Sequence, residues 1–400
     1  MNDAAAVSTE PISRLRIAVF NRIFATQGGG AERYSIALVE QLALRHEIHV
    51  FAQTIQHDFP GVTYHQVSAP FKKPRWINQL WYATATWWAT RRGFDLIHSH
   101  ENTWHGQVQT VHVLPVKHNL FKDRVHGWRW VLRCLKVGTS PRLLVYLALE
   151  HVRFAPQRGR QVVVTSQSLA AIMAQIYPDS RPMLSVVTPG VATVPGSAGE
   201  VQKQEARSVL GLPIPGRCLL FVGNDYRKKG LQTVLNALAV LEPDVFLAVV
   251  GHARQQADFQ SRALAAGVGP RVFFLGALKN MPTAYQAADI LVHPTLEDTF
   301  AMVVLEAMAN GVPVVVSGPA YCGIAGMLKD GVDACILEDP RDAVGLHTAV
   351  QRLLSDTYLR QRITDAALQF AEAHQWQALA YHQEQIYAAA LNAFRHTQTS

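Results

Sequence analysis

Two acids eight positions apart, Asp298 and Glu306, stand in the run 289–317, DILVHPTLEDTFAMVVLEAMANGVPVVVS. Apolar β-like runs at 290–292 and 312–316 bracket an acidic loop, Leu296-Glu297-Asp298-Thr299, and a short helix over 301–310. The first turn of such a helix aims unpaired N–H groups and the positive end of its dipole at whatever lies before the loop. A hydrolytic pair of carboxylates is the first chemistry to test, and the spacing speaks against it. Eight helical residues rise about 12 Å, whereas hydrolytic pairs stand roughly 5–9.5 Å apart. The two acids are better suited to accept hydrogen bonds from sugar or ribose hydroxyls, with an anion held at the helix start between them. The plainer alternative makes Asp298 a helix cap and Glu306 a solvated residue. Against it, Glu306 lies between Leu305 and Ala307 in a mostly apolar helix.

Three further groups carry possible chemistry. Arg227, Lys228 and Lys229 lie between Gly223 and Gly230 in GNDYRKKG, a strand-to-helix loop. Adjacent cations there suit a diphosphate and the charge it gains on leaving, although a charge run is often only a solvated face. Gln27-Gly28-Gly29-Gly30 follows an apolar strand and precedes a helix. Glycines in that position let backbone amides approach an anion, or simply make a tight turn; neither a G-x-G-x-x-G fingerprint nor a Walker loop is present. His112 ends the β-like run 107–113, where it could hydrogen-bond a reacting group or be a core histidine. His100, His105 and His112 with Glu101 raise a metal site, but H-x4-H and H-x6-H on strand and loop are not diagnostic, and the chain contains no D-x-D.

The elements that must position these groups alternate helix and strand through 400 residues, 49% of them hydrophobic. That pattern and length predict two α/β domains with parallel sheets. The expected divisions are a disordered tail over 1–14, a first domain over 15–192, a second over 193–374, and a final segment over 375–400. No apolar h-region stands at the N-terminus and no window approaches a transmembrane span, so a cytoplasmic protein is expected. Cys134, Cys218, Cys322 and Cys335 form no C-x-x-C and read as reduced packing residues.

The net charge of +7 is local. The stretch 71–94 carries Lys72, Lys73, Arg75, Arg91 and Arg92 with no acid; the stretch 116–147 sets seven cations against Asp123. Seven of the eight tryptophans precede residue 131, and Trp76, Trp81, Trp87 and Trp88 share the first basic stretch. Indoles beside cations fit an anionic membrane surface. A single-stranded nucleic-acid platform and core packing are the rivals; no nucleic-acid fold signature is present, and no nucleic-acid partner is expected.

Together these residues resemble the family 4 retaining glycosyltransferases. Asp298-x7-Glu306 followed by Ala307-Met308-Ala309-x-Gly311-x-Pro313-Val314 is similar to their E-x7-E signature, and Gly28-Gly29-Gly30-Ala31-Glu32-Arg33 to their G-G-x-x-R loop. GNDYRKKG most resembles the lipopolysaccharide-core glucosyltransferase I type. The resemblance implies a GT-B fold, two Rossmann-like domains facing across a cleft with the last helix crossing back to the first. It implies hexosyl transfer with retention from a nucleotide-sugar, UDP in most members, needing no metal and no cofactor. The implied acceptor is a lipid-linked or lipopolysaccharide-type glycan at the inner face of the cytoplasmic membrane. A soluble acceptor, or a degraded binding protein, stands as the alternative.

Carried onto this chain, the resemblance gives Glu306 the donor ribose, Asp298 the sugar hydroxyls, and the amides of Ala301, Met302 and Val303 the donor. Lys229 would bind the diphosphate with Lys228 or Arg227 assisting. Gly29 and Gly30 would close over the phosphates beside Gly223, and His112 would approach the sugar. The base would rest near Ala277 and Leu278. Three positions depart from the pattern: Asp298 replaces a glutamate, with Glu297 beside it as a substitute; Ala301 replaces a glycine; Asn224 replaces an arginine.

Overall fold

The computed structural model describes residues 13–25, 29–71, 73–122, 127–252 and 254–395, with residues 394 and 395 described by backbone alone. The expected N-terminal tail falls almost wholly outside these residues, as do Gly28, Lys72 and Arg124.

In chain order the first half holds β1 (Arg16–Phe20), β2 (Ile23–Ala25), β3 (Glu47–Ala52), β4 (Thr54–Gln56) and β5 (Val62–Gln66). It continues with β6 (Leu96–Ser99), β7 (Val108–Val111), β8 (Gln161–Val164) and β9 (Leu184–Val186). Seven of these form a parallel sheet in the order β5-β3-β1-β6-β7-β8-β9, while β2 and β4 make a small ribbon. The second half holds β10 (Arg217–Val222), β11 (Val245–Val250), β12 (Val272–Gly276), β13 (Ile290–His293), β14 (Val314–Ser317) and β15 (Cys335–Leu337). They form a parallel sheet in the order β12-β11-β10-β13-β14-β15.

Parallel strands need crossovers, and the helices that supply them cover both faces, which is why most core strands are unbroken apolar runs. Cys218–Val222 and Val245–Val250, for example, are buried throughout. In each sheet the strand order reverses beside its first strand: between β1 and β6, and between β10 and β13. Loops leaving the carboxyl ends of strands diverge at such a reversal and open a crevice. Three of the loops expected to do chemistry lie at these reversals: Gly29-Gly30 after β1 and the short β2, Gly223 to Gly230 after β10, and Glu297 to Ala301 after β13; His112 and Ala277-Leu278 follow β7 and β12 instead.

Two crossings join the halves, and they run side by side. Val191 N–H donates to His374 O at 2.9 Å and Trp376 N–H to Val191 O at 3.1 Å. From there the helix Trp376–Arg395 lies on the first domain, burying Trp376, Ala380, Ile386 and Tyr387 with Ile17, Val19 and Val50. Glu384 anchors it through Arg45 at 2.6 Å and His46 at 3.0 Å.

One helix, Glu200–Leu210, was not read from the sequence. Its buried face is only Ala206 and Arg207, and Arg207 satisfies itself against Ala287 O, Gly216 O and Asp289. A buried face built on arginine leaves no apolar stripe to find. All four cysteines are unpaired.

Candidate active site

A cleft of about 700 Å³ separates the sheets. Its first-domain wall includes Gly29, Gly30, Arg33, Tyr34, His112 and Thr165; its second-domain wall includes Gly223, Lys228, Lys229, Ala277, Leu278, Glu297, Asp298 and Ala301 to Val303. Most of the residues singled out in the sequence therefore meet on one surface, although they come from loops almost three hundred residues apart.

Glycine is required where the second-domain loops touch. Gly230 has φ +77°, and a Cβ there would overlap the carbonyl of Pro294. The close contact brings the cation loop against the acidic loop: Leu296 N–H donates to Lys228 O at 2.8 Å.

Lys229 Nζ consequently reaches Asp298 Oδ2, which also accepts from His293 Nε2 at 3.3 Å. The other oxygen, Oδ1, accepts the amides of Phe300 at 3.3 Å and Ala301 at 2.9 Å. Burial pushes the Asp298 carboxyl up, but the hydrogen bond from His293 and the charge of Lys229 outweigh it, so the acid stays ionised well below its usual range. Burial pushes His293 down, and a neutral ring donating through Nε2 leaves Nδ1 bare, which is the nitrogen found without a partner. Asp298 is thus both the acceptor of two loop amides and the counter-charge of Lys229.

Ala301 carries φ +73° and ψ +71° as the cap of the helix Met302–Ala309. It is the one non-glycine residue with positive φ among the described residues, a conformation that costs of order 1–3 kcal/mol. With its own amide taken by Asp298, the amides of Met302 and Val303 are the open donors of the first turn.

Glu306 does not line the cleft, although Met302 and Val303 of the same helix do. One oxygen accepts from Arg33 Nη1 at 2.8 Å, from the opposite domain, and the other from Tyr285 Oη at 2.6 Å. Glu297 bridges Lys228 at 2.8 Å and Lys122 at 3.5 Å, again from opposite domains. Arg227 is not brought in. It pairs with Asp258 at 2.9 Å on an exposed face, because the turn that buries Lys229 sends its neighbour two positions earlier outward. His112 faces the cleft, and Thr299 Oγ1 donates to its carbonyl at 2.7 Å across the domains.

Arg33, Tyr285, His293 and Thr165 were assigned no role from the sequence. His293 had a usable signal, since it ends β13 within five residues of Asp298; the pairings of Arg33 and Tyr285 arise only in three dimensions. His98, His100 and His112 contact one another by stacking and hydrogen bonding rather than converging on a point. Among the described residues no group of three or more His, Cys, Asp or Glu side chains is placed to hold a metal ion.

Two facing Rossmann-like domains with cations, capped amides and acids in the cleft between them define a GT-B architecture. Residues 28–194 match the family described as Glycosyltransferase Family 4, and residues 202–370 match Glycosyl transferases group 1. The chain belongs to glycosyltransferase family 4. It is 31% identical over 229 residues to a D-inositol 3-phosphate glycosyltransferase of Corynebacterium kroppenstedtii, a match covering 54% of this chain and 50% of that protein. The chain spans about half the length of the first curated relatives it matches. Its fold is that of WaaG, a glycosyltransferase involved in lipopolysaccharide biosynthesis, with TM-score 0.79, 20% identity, and coverage of 92% of this chain and 99% of the other. It is also that of HepE of Anabaena in complex with UDP and glucose, with TM-score 0.74, 18% identity, and coverage of 94% and 100%.

Proposed function

We propose that this protein transfers a hexose from a nucleoside-diphosphate sugar, UDP-linked, onto a lipid-linked or lipopolysaccharide-type glycan, with retention at the anomeric carbon. The observation that carries the reading is the convergence of Lys229, the open amides of Met302 and Val303, and Gly29-Gly30 on one cleft. A diphosphate fits there because fixed donors in a closed site stabilise charge as it develops, with no reorganisation at the moment of reaction. Lys229 supplies the cation and Asp298 holds it in place. Lys228 assists, while Arg227 contributes only by its distant charge. Ala277 and Leu278 form an apolar shelf for the base. Glu306 takes the ribose hydroxyls once Arg33 yields its oxygen. The acceptor hydroxyl attacks from the face the diphosphate leaves, and the departing diphosphate takes its proton. Closure of the two domains excludes water. Similarity to the UDP- and glucose-bound HepE supports the donor class.

For the acceptor, the supporting observation is the basic aromatic face. The helix Trp128–Gly138 buries no residue: Trp128 is 67% and Leu135 57% exposed, with Leu132 on the same side and Arg129, Arg133 and Lys136 along one flank. On Arg75–Thr90, Trp88 is 62% exposed and Arg91 lies over its ring at 4.0 Å. Both helices pack against Pro141–Phe154. Half-exposed indoles beside cations suit the interface of an anionic bilayer, which would place the protein peripherally on the membrane face where the nucleotide-sugar is available. Among the described residues no helix is long and apolar enough to cross a membrane.

The donor reading is tested by thermal unfolding with UDP and by hydrolysis across a panel of nucleotide-sugars. UDP should raise the wild-type Tm by several degrees, and Lys229→Ala should lose most of that rise and at least tenfold in turnover, the order of one charge-assisted hydrogen bond. Identical UDP shifts in the two proteins would overturn it.

A further inference from the structure

We propose that His100 is a positioning residue that fixes His112 as the Nδ1–H tautomer, so that His112 presents a neutral N–H donor to the cleft. This rests on the reading of His112 as a substrate-facing group and adds what sets its chemistry.

His112 and His100 face each other as nearly parallel rings, 5.2 Å apart and 10° from coplanar orientation, with His100 Nδ1 and His112 Nε2 2.9 Å apart. Either nitrogen could hold the shared proton on geometry alone. The decision comes from the far side of His100, where Nε2 is sealed from solvent and has no partner among the described residues. A sealed N–H without an acceptor is rarer and costlier than a sealed bare nitrogen. The single proton of neutral His100 is therefore assigned to Nδ1, where it has an acceptor. That acceptor, His112 Nε2, must be bare, and a neutral imidazole with bare Nε2 carries its proton on Nδ1. His112 Nδ1 has no hydrogen bond within the described residues and belongs to a side chain that lines the cleft.

The surroundings hold both rings still. Tyr34 stands edge-on to His112 at 4.8 Å, its hydroxyl tied to Val187 O at 3.3 Å. Behind His100, His98 packs at 4.3 Å and is itself held by Tyr387 Oη at 2.7 Å and Thr110 Oγ1 at 2.6 Å. Tyr387 comes from the returning helix Trp376–Arg395, so the last element of the chain braces the stack from the rear. Burial keeps the rings uncharged: it drives His100 well below its usual value and His112 down to about 3. His112 therefore faces the cleft as a neutral ring. It offers one hydrogen bond to a lone pair of the bound donor, a sugar hydroxyl or a phosphate oxygen.

The test is ¹⁵N-histidine NMR on the full chain without substrate, with the His112 signals identified by their loss in His112→Asn. Wild type should show His112 protonated at Nδ1. His100→Phe should release it to a mixture containing the Nε2–H form, and His100→Asn, whose amide restores a donor at the Nδ1 position, should return it to Nδ1–H. In transfer assays His100→Phe should lower kcat about tenfold, the order of one hydrogen bond between neutral groups, and His100→Asn should recover most of it. An Nε2–H His112 in wild type overturns the proposal, and so does an unchanged tautomer in His100→Phe. Because the tautomer is read without substrate, its outcome stands whether or not the glycosyl-transfer reading survives. Loss of kcat with UDP alone still binding normally would assign the hydrogen bond to the sugar; weakened UDP binding would assign it to a phosphate.

Discussion

At the scale of single residues, the acid at position 298 is engaged on all sides. Two amides, a lysine and a histidine converge on one carboxylate, and the lysine and histidine that share Oδ2 would each face a donor if that atom became an amide nitrogen. Asp298→Asn should cost about 1–3 kcal/mol of stability at neutral pH, the range for leaving buried partners unsatisfied. The sign of the pH dependence follows from the depressed carboxyl. Its stabilisation is fully present above the unfolded carboxylate value near 4, and is lost as pH falls below that toward the lower folded value. Urea unfolding of both proteins between pH 6 and pH 3 should therefore show the gap narrowing as acid is added, and a constant gap would refute this account. The sequence marked Asp298 by its spacing from Glu306 but left open whether Glu297 could replace it. The difference is one of partners: Glu297 bridges two surface lysines, whereas Asp298 accepts the loop amides of Phe300 and Ala301 and holds Lys229. Spacing along the chain carries no information on which of two adjacent carboxylates turns inward.

At the scale of elements, the strands of the two large sheets were legible because most are buried and read as apolar runs, and their loops because glycine and charge cluster there, whereas the short β2 and β4 were not read. What could not be read is how elements lean on one another. The paired crossings at Val191 and Trp376 involve no unusual composition, yet they are the joint between the halves. Gly190 shows how tight it is: a Cβ would meet Leu379 Cδ1 at 2.7 Å, His374 O at 2.9 Å and Trp376 N at 3.1 Å. Gly190→Val should part the two crossings and lift the returning helix, lowering Tm by several degrees in differential scanning calorimetry. Its signature should be faster amide exchange across 376–387 rather than across β10 to β15. A variant with wild-type Tm and exchange would show that the joint has slack. The same helix carries Tyr387, so the brace behind the histidine stack should loosen with it.

At the scale of the whole molecule, the uneven charge noted in the sequence falls on one domain, around the helices Arg75–Thr90 and Trp128–Gly138 that both pack against Pro141–Phe154. The basic stretch starts at the lip of the cleft, where Lys122 reaches Glu297, and runs outward through the exposed helix Trp128–Gly138. A surface resting on a bilayer would hold the opening of the cleft near glycans anchored in it. Sedimentation with vesicles containing anionic lipid should capture the wild type, and capture should fall at least tenfold when Trp87, Trp88, Arg91 and Arg92 are replaced together, or when Trp128, Leu132 and Leu135 become serine. Neutral vesicles should bind more weakly than anionic ones, since about 1 kcal/mol per basic residue depends on lipid charge. Unchanged sedimentation of both variants would leave a soluble acceptor as the better reading.

The pair between Arg33 and Glu306 ties the two lobes together through the carboxylate that the donor's ribose is expected to use. A ligand hydroxyl that takes this oxygen of Glu306 would have to displace Arg33, so binding at the carboxylate and the contact between the two lobes are coupled through one ion pair.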